Sequence, residues 1–431
     1  MYAGTLPVAS VVELQLPLPD PFNTLSSALG GAAILAVLAH VALYGRGRIP
    51  SLPVAAWLAF LVWATATTFW AVDPGAGVRT LTIAAPLVLL MVVVALLPID
   101  RGDFDTLRMA IILSGALVGA YALFLLISGS TLPTHGTSQR FSIATNPDDT
   151  NPNIVAASLL LPLALSLESL LLGGRRWFSA GTWRWVGGTS AFLTTLAIVL
   201  TASRGGVISS LVVVVLTLYF CARIPAQEAL VRRVIARMCL FIVLLIPILF
   251  TLAALLPLSP SARFTIADSL GRIVGVEERG DSGRTEIWTS GMLACQTHCV
   301  LGAGFGGFPT VYNDVQAFSG TLKDVGLSRA AHNVYLGIAV ETGVVGLALL
   351  AIALALEWRT ITSVRPQHLA PALRGALLGL LVASVFLSAI WFKYFWLVFT
   401  MIRVAEGAST VEVEDTRSSV SSAGTPARIV I

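Results

Sequence analysis

Apolar runs of about 20 residues recur along this chain, and they constrain its fold more than any other feature. Each run is long enough for one spanning helix, and no lysine or arginine falls in the middle of a run. Hydrophobic residues make up 56% of the 431 residues and charged residues 12%, which is more apolar surface than a soluble core can bury. We predict spans at 23–44, 50–70, 78–97, 106–128, 152–172, 184–203, 205–222, 236–256, 332–357, 372–390 and 391–404. The sequence therefore predicts an all-α polytopic integral membrane protein.

The order of these runs also divides the chain into regions. We predict an N-terminal transmembrane helix bundle over 1–256, one large and mainly helical loop over 257–331, C-terminal transmembrane helices over 332–404 and a disordered tail over 405–431. A twelfth span in residues 5–19 remains an alternative, although Glu13 and several prolines disfavour a regular helix there. The same segment lacks a basic leader, so no cleavable signal peptide is predicted.

Lysine and arginine are unevenly divided between the two sets of loops, and cytoplasmic loops carry the excess of these residues. The short loops of the poorer set contain only Arg79, Arg140, Arg204 and Lys393. We therefore predict that this set faces outward together with residues 257–331, and that the C-terminus is cytoplasmic. The formal net charge of +4 is explained by this division, so membrane lipids and not nucleic acid are the predicted partners.

A polar dipeptide, His332-Asn333, lies where the long polar loop meets an apolar helix. At helical spacing His332, Gly343 and Gly346 share one face, and glycines there permit close approach of another helix. This packing would hold the His332 end of the helix rigidly, as a histidine with a catalytic or binding role would require. An interfacial histidine above a small-residue packing face is the alternative, and the stretch by itself does not decide between them.

Two arginines on the outward side have side chains suited to a diphosphate, because guanidinium presents a planar fork of donors. Arg204 lies in the turn TASRGG, and Arg284 lies in GRTEIW before a predicted amphipathic helix. With His332 they form a candidate site for an anionic ligand. A lipid-headgroup contact for Arg204, and a surface ion pair with Asp281 or Glu286 for Arg284, are the alternatives.

Other polar motifs predict no metal and no cofactor. The glycine-rich run GAGFGGF over 302–308 lacks the preceding strand and the Lys-Ser/Thr of a nucleotide site, so a tight packed loop is predicted. Three acidic or sulfur-containing pairs resemble metal ligands but are better explained as helix caps, turns or half-buried helix faces: Asp103 with Asp105, Asp148 with Asp149, and Cys295 with Cys299. Glu341, inside a span, is either functional or part of a helix–helix hydrogen bond.

The pattern His332-Asn333, nine residues, Gly343, two residues, Gly346 resembles the signature of the O-antigen ligases. Further blocks resemble the same family: NPNIVAASLLLPLAL in the fifth span, SRGG after the sixth, and GRTEIW with GAGFGGF in the long loop. The resemblance covers most of the chain from Asn151 to Leu356. These enzymes attach polysaccharide to the lipopolysaccharide core of bacteria.

The resemblance implies a donor, undecaprenyl-diphosphate-linked O-antigen, and an acceptor, the lipid A–core oligosaccharide, that meet on the periplasmic face of the inner membrane. The diphosphate leaving group already activates the donor, so no nucleotide is needed. We expect Arg204 and Arg284 to stabilise the leaving diphosphate, with Arg140 as a third arginine. His332 is expected to deprotonate or orient the acceptor hydroxyl, and Asn333 to contribute to substrate binding.

Two other functions remain open from the sequence. An O-antigen polymerase would use the same donor, with a second lipid-linked glycan as its acceptor, and nothing in the sequence excludes it. A polysaccharide transporter would more often carry charges near mid-membrane and broken helices in paired halves. No such repeat is found here.

Overall fold

Helices make up nearly all the regular structure of the computed structural model, which describes residues 6–8, 14–17, 23–45, 47–128, 134–135, 138–141, 151–173, 179–224, 229, 232–233, 260–274, 283–318, 329–365 and 370–423. The first eight helices are α1 (Leu25–Tyr44), α2 (Leu52–Thr67), α3 (Pro74–Ala95), α4 (Arg101–Ile127), α5 (Pro152–Ser158), α6 (Leu160–Leu172), α7 (Ala180–Leu200) and α8 (Arg204–Ala222). The others are α9 (Pro260–Val274), α10 (Arg284–His298), α11 (Phe308–Phe318), α12 (Val334–Ser363), α13 (Pro371–Ala383) and α14 (Lys393–Ala423). Two short strands, β1 (Thr134–His135) and β2 (Ser138–Gln139), pair antiparallel.

Seven helical segments among these residues are long and apolar enough to cross a membrane. They are α1, α2 with its following 3-10 turn, α3, α4, α5 with α6, α8 and α12. The all-α polytopic fold is therefore confirmed, and the long polar loop contains three helices, α9 to α11, in its described part. Three further predicted spans, 184–203, 372–390 and 391–404, correspond to α7, to α13 and to the start of α14, which are not among the seven. The predicted span 236–256 lies outside the described residues, so the total of eleven stays a prediction.

Short polar side chains determine where several helices begin. The Asn151 side chain accepts a hydrogen bond from the N–H of Asn153 at the start of α5, where Pro152 is the first helical residue. At the start of α4, Asp100 and Asp103 form a reciprocal capping box. The expectation that Asp105 caps this helix is wrong, because its carboxylate lies 3.5 Å from the Arg108 guanidinium instead.

The helix that follows His332 is interrupted. Gly343 has φ 69° and ψ −170°, which breaks α12 into two parts. A Cβ atom at Gly343 would lie 2.4 Å from the carbonyl oxygen of Val300, so it is a loop and not a helix that approaches this glycine. Trp63 of α2 donates its indole N–H to the Thr342 carbonyl at 2.8 Å. The prediction of one continuous glycine face for helix packing is therefore corrected at Gly343, since the backbone there leaves the helical conformation.

The glycine-rich loop was expected to be tight and packed, and in the structure it packs against the break in α12. Its Ala303 N–H donates to the Val340 carbonyl at 2.8 Å, and Gly304 N–H donates to the Glu341 carbonyl at 2.9 Å. The Glu341 carboxylate accepts a hydrogen bond from Phe308 N–H at 3.4 Å. Glu341 therefore holds the end of this loop, where α11 begins.

The last helix differs from its prediction. The chain after residue 404 was expected to be a disordered tail, but α14 continues to Ala423. Arg403, fully buried, forms ion pairs with Glu357 of α12 and with Glu406. The Ser409 hydroxyl accepts a hydrogen bond from the N–H of Arg365 at 2.9 Å. The boundary is corrected because Ser409, beyond residue 404, has a partner just after the end of α12, which a composition rich in small polar residues does not reveal.

Candidate active site

Three helices begin at the residues predicted to form the site. Arg204 is the first residue of α8, Arg284 is the first residue of α10, and His332 lies just before Asn333, the N-cap of α12. The first N–H groups of a helix have no partner within the helix, and the helix dipole adds partial positive charge at that end. Each predicted residue therefore stands at a helix end that favours anions.

Phe386, which follows α13, joins these helix ends. Its ring lies 6.0 Å from the Arg284 guanidinium carbon, and a Cβ atom at Gly205 would lie 3.1 Å from the same ring. The carbonyl of Ser384, two residues earlier, accepts a hydrogen bond from Val334 N–H at 2.8 Å. One turn of chain thus contacts the starts of α8, α10 and α12. This role was not identified from the sequence, since Phe386 resembles any other apolar residue at the end of a span.

Arg140 lies in the same region and holds the turn before Arg204. Its Nε donates to the Thr201 carbonyl at 2.9 Å, and its Nη2 donates to the Ala202 carbonyl at 3.3 Å. The pKa of Arg140 is lowered to about 10. Burial is the main cause; the positive charges of Arg272 and Arg284 also lower the pKa, and the negative charge of Asp268 opposes the shift. The guanidinium is still cationic at neutral pH. Arg140 therefore contributes positive charge, while two of its N–H groups are used by the backbone.

Helix α9 covers one side of Arg204. The Arg204 Nε donates to the Arg272 carbonyl at 2.7 Å, and the Arg272 side chain pairs with Asp268 at 3.0 Å. This bond directs Arg204 toward the polar segment, which weakens its interpretation as a simple headgroup contact. Arg272 was not identified from the sequence, because an Arg four residues after an Asp resembles an ordinary pair within one helix.

His332 has an uncommon backbone conformation. Its φ is 47°, and the one other non-glycine residue with positive φ in the described part of the chain is Ala202, with φ 49°. Both flank the site: Ala202 accepts from Arg140, and His332 precedes the cap of α12. The Trp288 indole donates to the Ala331 carbonyl at 3.2 Å and fixes the residue before His332. Such conformations are typical of functional sites, where neighbouring contacts hold them.

The surroundings of His332 favour the neutral imidazole. Burial lowers the pKa of His332 below its usual range, and the positive charges of Arg284 and Arg329 lower it further. Arg329 was not identified from the sequence. A neutral imidazole can accept a proton from a hydroxyl group.

The remaining predicted residues have structural contacts. Asn333 was expected to contribute to substrate binding, and its side-chain oxygen accepts a hydrogen bond from Leu336 N–H at 3.0 Å as the cap of α12. Gly343 forms the break in α12, and Gly346 faces Trp63, with 3.3 Å between an added Cβ atom and the indole. Both glycines therefore shape the helix that carries His332.

Among the described residues, no group of three histidine, cysteine, aspartate or glutamate side chains could hold a metal ion. Asp148 and Asp149 lie outside those residues. Cys295 and Cys299 form a disulfide at the end of α10, which differs from the free half-buried face expected there.

Fold and site together define a multi-pass helical membrane protein with a cationic site beside a histidine. Residues 189–351 match the family model described as O-antigen ligase. This segment contains Arg204, Arg284, His332 and the helices that begin there, and over it the resemblance to the O-antigen ligase family is confirmed. The family supports a membrane glycosyltransferase of the ligase or polymerase type. No curated protein matches the chain.

Proposed function

We propose that this protein is an O-antigen ligase. It transfers O-antigen polysaccharide from undecaprenyl diphosphate to the lipid A–core oligosaccharide on the periplasmic face of the inner membrane. The observation that carries this proposal is the grouping near His332 of Arg204 and Arg284, which begin helices, with Arg140 beside them. The match of residues 189–351 to the O-antigen ligase family supports it.

The arginines act on the leaving group. In the transfer, the acceptor hydroxyl oxygen bonds to the anomeric carbon, and the bond from that carbon to the diphosphate oxygen breaks. The diphosphate takes the electron pair, so negative charge grows on it in the transition state. Arg204 and Arg284, at the starts of α8 and α10, are positioned to stabilise that charge with the helix N-termini.

His332 acts on the acceptor. The acceptor oxygen loses its proton as the new bond forms, and the neutral imidazole takes it as a general base. Burial and two nearby arginines favour this neutral form before the donor binds. A histidine that only orients the hydroxyl is the second version, and substitution by glutamine separates the two.

The outward orientation is part of the proposal. The arginine-poor set of loops includes Arg140 and Arg204, which supports a periplasmic site. The disulfide between Cys295 and Cys299 also supports it, because disulfides persist mainly in oxidising compartments such as the periplasm.

The transfer is proposed to be independent of metal, since arginines can supply the charge that a divalent ion supplies in other transferases. We expect ligation by the purified protein to persist in excess EDTA. Loss of activity that magnesium or manganese restores would contradict this and would direct attention to Asp148 and Asp149.

The lipopolysaccharide of a deletion strain tests the function itself. For a ligase, we expect core without O-antigen, with polymer retained on its lipid carrier, and restoration by the wild-type chain. Core bearing a single repeat unit would identify a polymerase instead. Lipid-linked glycan trapped on the cytoplasmic face would identify a transporter.

A further inference from the structure

Two polar side chains connect α5 to the start of α8. The Ser203 hydroxyl donates to the Asn153 side-chain oxygen and accepts from the N–H of Gly206 at 3.0 Å. The Asn153 side-chain nitrogen and its backbone N–H both donate to the side-chain oxygen of Asn151, at 2.8 and 3.0 Å. These bonds form a continuous chain that ends in the first turn of α8, where Arg204 is the first residue.

The two helices are also in direct contact at this point. A Cβ atom at Gly206 would lie 2.4 Å from the Cβ of Ala156, so α5 lies against the backbone of α8. Ser203 has no exposed surface, and its hydroxyl uses both its donor and its acceptor capacity. The first turn of α8 therefore cannot shift without breaking a buried hydrogen bond or moving α5.

We propose that Asn153 and Ser203 are positioning residues that set the place of Arg204 and so govern how the donor diphosphate is held. Arg204 has a long, exposed side chain, and a single hydrogen bond to the Arg272 carbonyl anchors its guanidinium. The position of the Arg204 guanidinium therefore depends mainly on the backbone of Arg204. Ser203 holds that backbone through its link to Asn153 of α5, and Arg140 holds the preceding turn through the Thr201 and Ala202 carbonyls. Stabilisation of a leaving group depends strongly on such geometry. This inference rests on the proposed function, in which Arg204 binds the diphosphate.

An ordinary helix cap is the competing explanation. A cap requires only that the Ser203 oxygen accept from Gly206 N–H, and it does not require Asn153. Glycine is also a good N-cap residue, so Ser203→Gly should leave α8 nearly as stable while removing the link to Asn153. Ser203→Gly and Asn153→Ala therefore separate positioning from helix stability.

The test measures ligation kinetics of purified protein in nanodiscs, with undecaprenyl-diphosphate-linked glycan as donor. We expect Ser203→Gly and Asn153→Ala each to lower kcat/KM for the donor about ten- to hundredfold while KM for the acceptor stays unchanged. Because the two residues act through one link, the double variant should lose little more than either single variant. Ser210→Ala is the matched control, since its hydroxyl bonds only the Val207 carbonyl within α8, and it should match wild type.

Arg204→Ala separates failure of this inference from failure of the proposed function. If Arg204→Ala ligates as wild type does, the role of Arg204 in the proposed function fails. If Arg204→Ala is impaired while Ser203→Gly and Asn153→Ala match wild type, only the positioning inference is overturned. An additive loss in the double variant, or an equal rise in KM for the acceptor, would overturn it as well. In the Arg204→Ala background, adding Ser203→Gly should cause no further loss of affinity for undecaprenyl diphosphate.

Discussion

At the scale of single residues, the site depends on two side chains of opposite chemical character. His332 is held in a positive-φ conformation at the head of α12 and is kept neutral by burial and by nearby cations. Arg204 stands at the head of α8, exposed but with its backbone fixed. One can accept a proton and the other can stabilise negative charge, which are the two demands of transfer from a diphosphate.

The charge of Arg329 contributes, after burial and Arg284, to the pH at which His332 is neutral. A base must be neutral, so activity falls as the pH drops through the pKa of His332. Arg329 lowers that pKa, and removal of its charge raises it. We expect Arg329→Gln to move the acidic limb of the kcat/KM profile to higher pH. The control is Arg79→Gln, because the Arg79 side chain is 73% exposed, and this variant should leave the acidic limb in place. A shift of the limb to lower pH in Arg329→Gln would contradict this account.

At the scale of elements, α12 is fixed at its head, at its break and near its end. Val334 bonds the turn after α13, Thr342 bonds Trp63 beside the glycine-rich loop, and Glu357 pairs with Arg403. The break at Gly343 gives the loop room to reach α2 and α3. A helix fixed in this way can hold His332 in a strained conformation.

The buried pair between Glu357 and Arg403 predicts a large loss of stability on substitution. Arg403→Ala leaves the Glu357 carboxylate buried without its cation, and breaking one partner of a buried pair typically costs about 3–5 kcal/mol. We expect a clearly lower midpoint of thermal unfolding in detergent. Arg359→Ala is the control, because Arg359 lies at an exposed position on α12, the helix of Glu357. This variant should unfold near the wild-type temperature. Equal midpoints for the two variants would show that the ion pair adds little.

The sequence predicts those features that depend on local pattern. Apolar length indicates the spans, and Asn151 followed by Pro152 marks a helix start that the structure has. The break at Gly343 depends on backbone from residue 300, and the roles of Arg272 and Phe386 depend on contacts between distant helices. No periodicity within one segment contains that information. The partner of Ser409 on another segment is likewise the reason that the continuation of α14 beyond residue 404 was not predicted.

At the scale of the whole molecule, the proposed reaction needs a catalytic face that is open to both substrates, and helices of the polar segment contact the start of α8 and α12. Both substrates of the proposed reaction carry lipid tails, so a catalyst built almost wholly from membrane helices brings their reactive groups together at one surface. The orientation of that surface rests on the distribution of arginine and lysine.

Cysteine labelling in intact cells tests the orientation. In a background without Cys221 and Cys239, Asp314→Cys on the exposed side of α11 should react with a membrane-impermeant maleimide in intact spheroplasts. Thr362→Cys, exposed near the far end of α12, should react only after permeabilisation. The opposite pattern would place the site in the cytoplasm and remove its proposed substrates.

Ligation by His332 variants tests the central claim most directly. General-base assistance is typically worth about 10²–10⁴-fold, so His332→Ala should abolish visible ligation while donor accumulates on its lipid carrier. Glutamine can hydrogen-bond a hydroxyl but cannot take its proton at neutral pH, and we expect His332→Gln to be nearly as inactive as alanine. Substantial activity of His332→Gln without an acidic limb would leave His332 as an orienting group. A well-expressed His332→Ala variant that decorates the core as wild type does would contradict the assignment of this site.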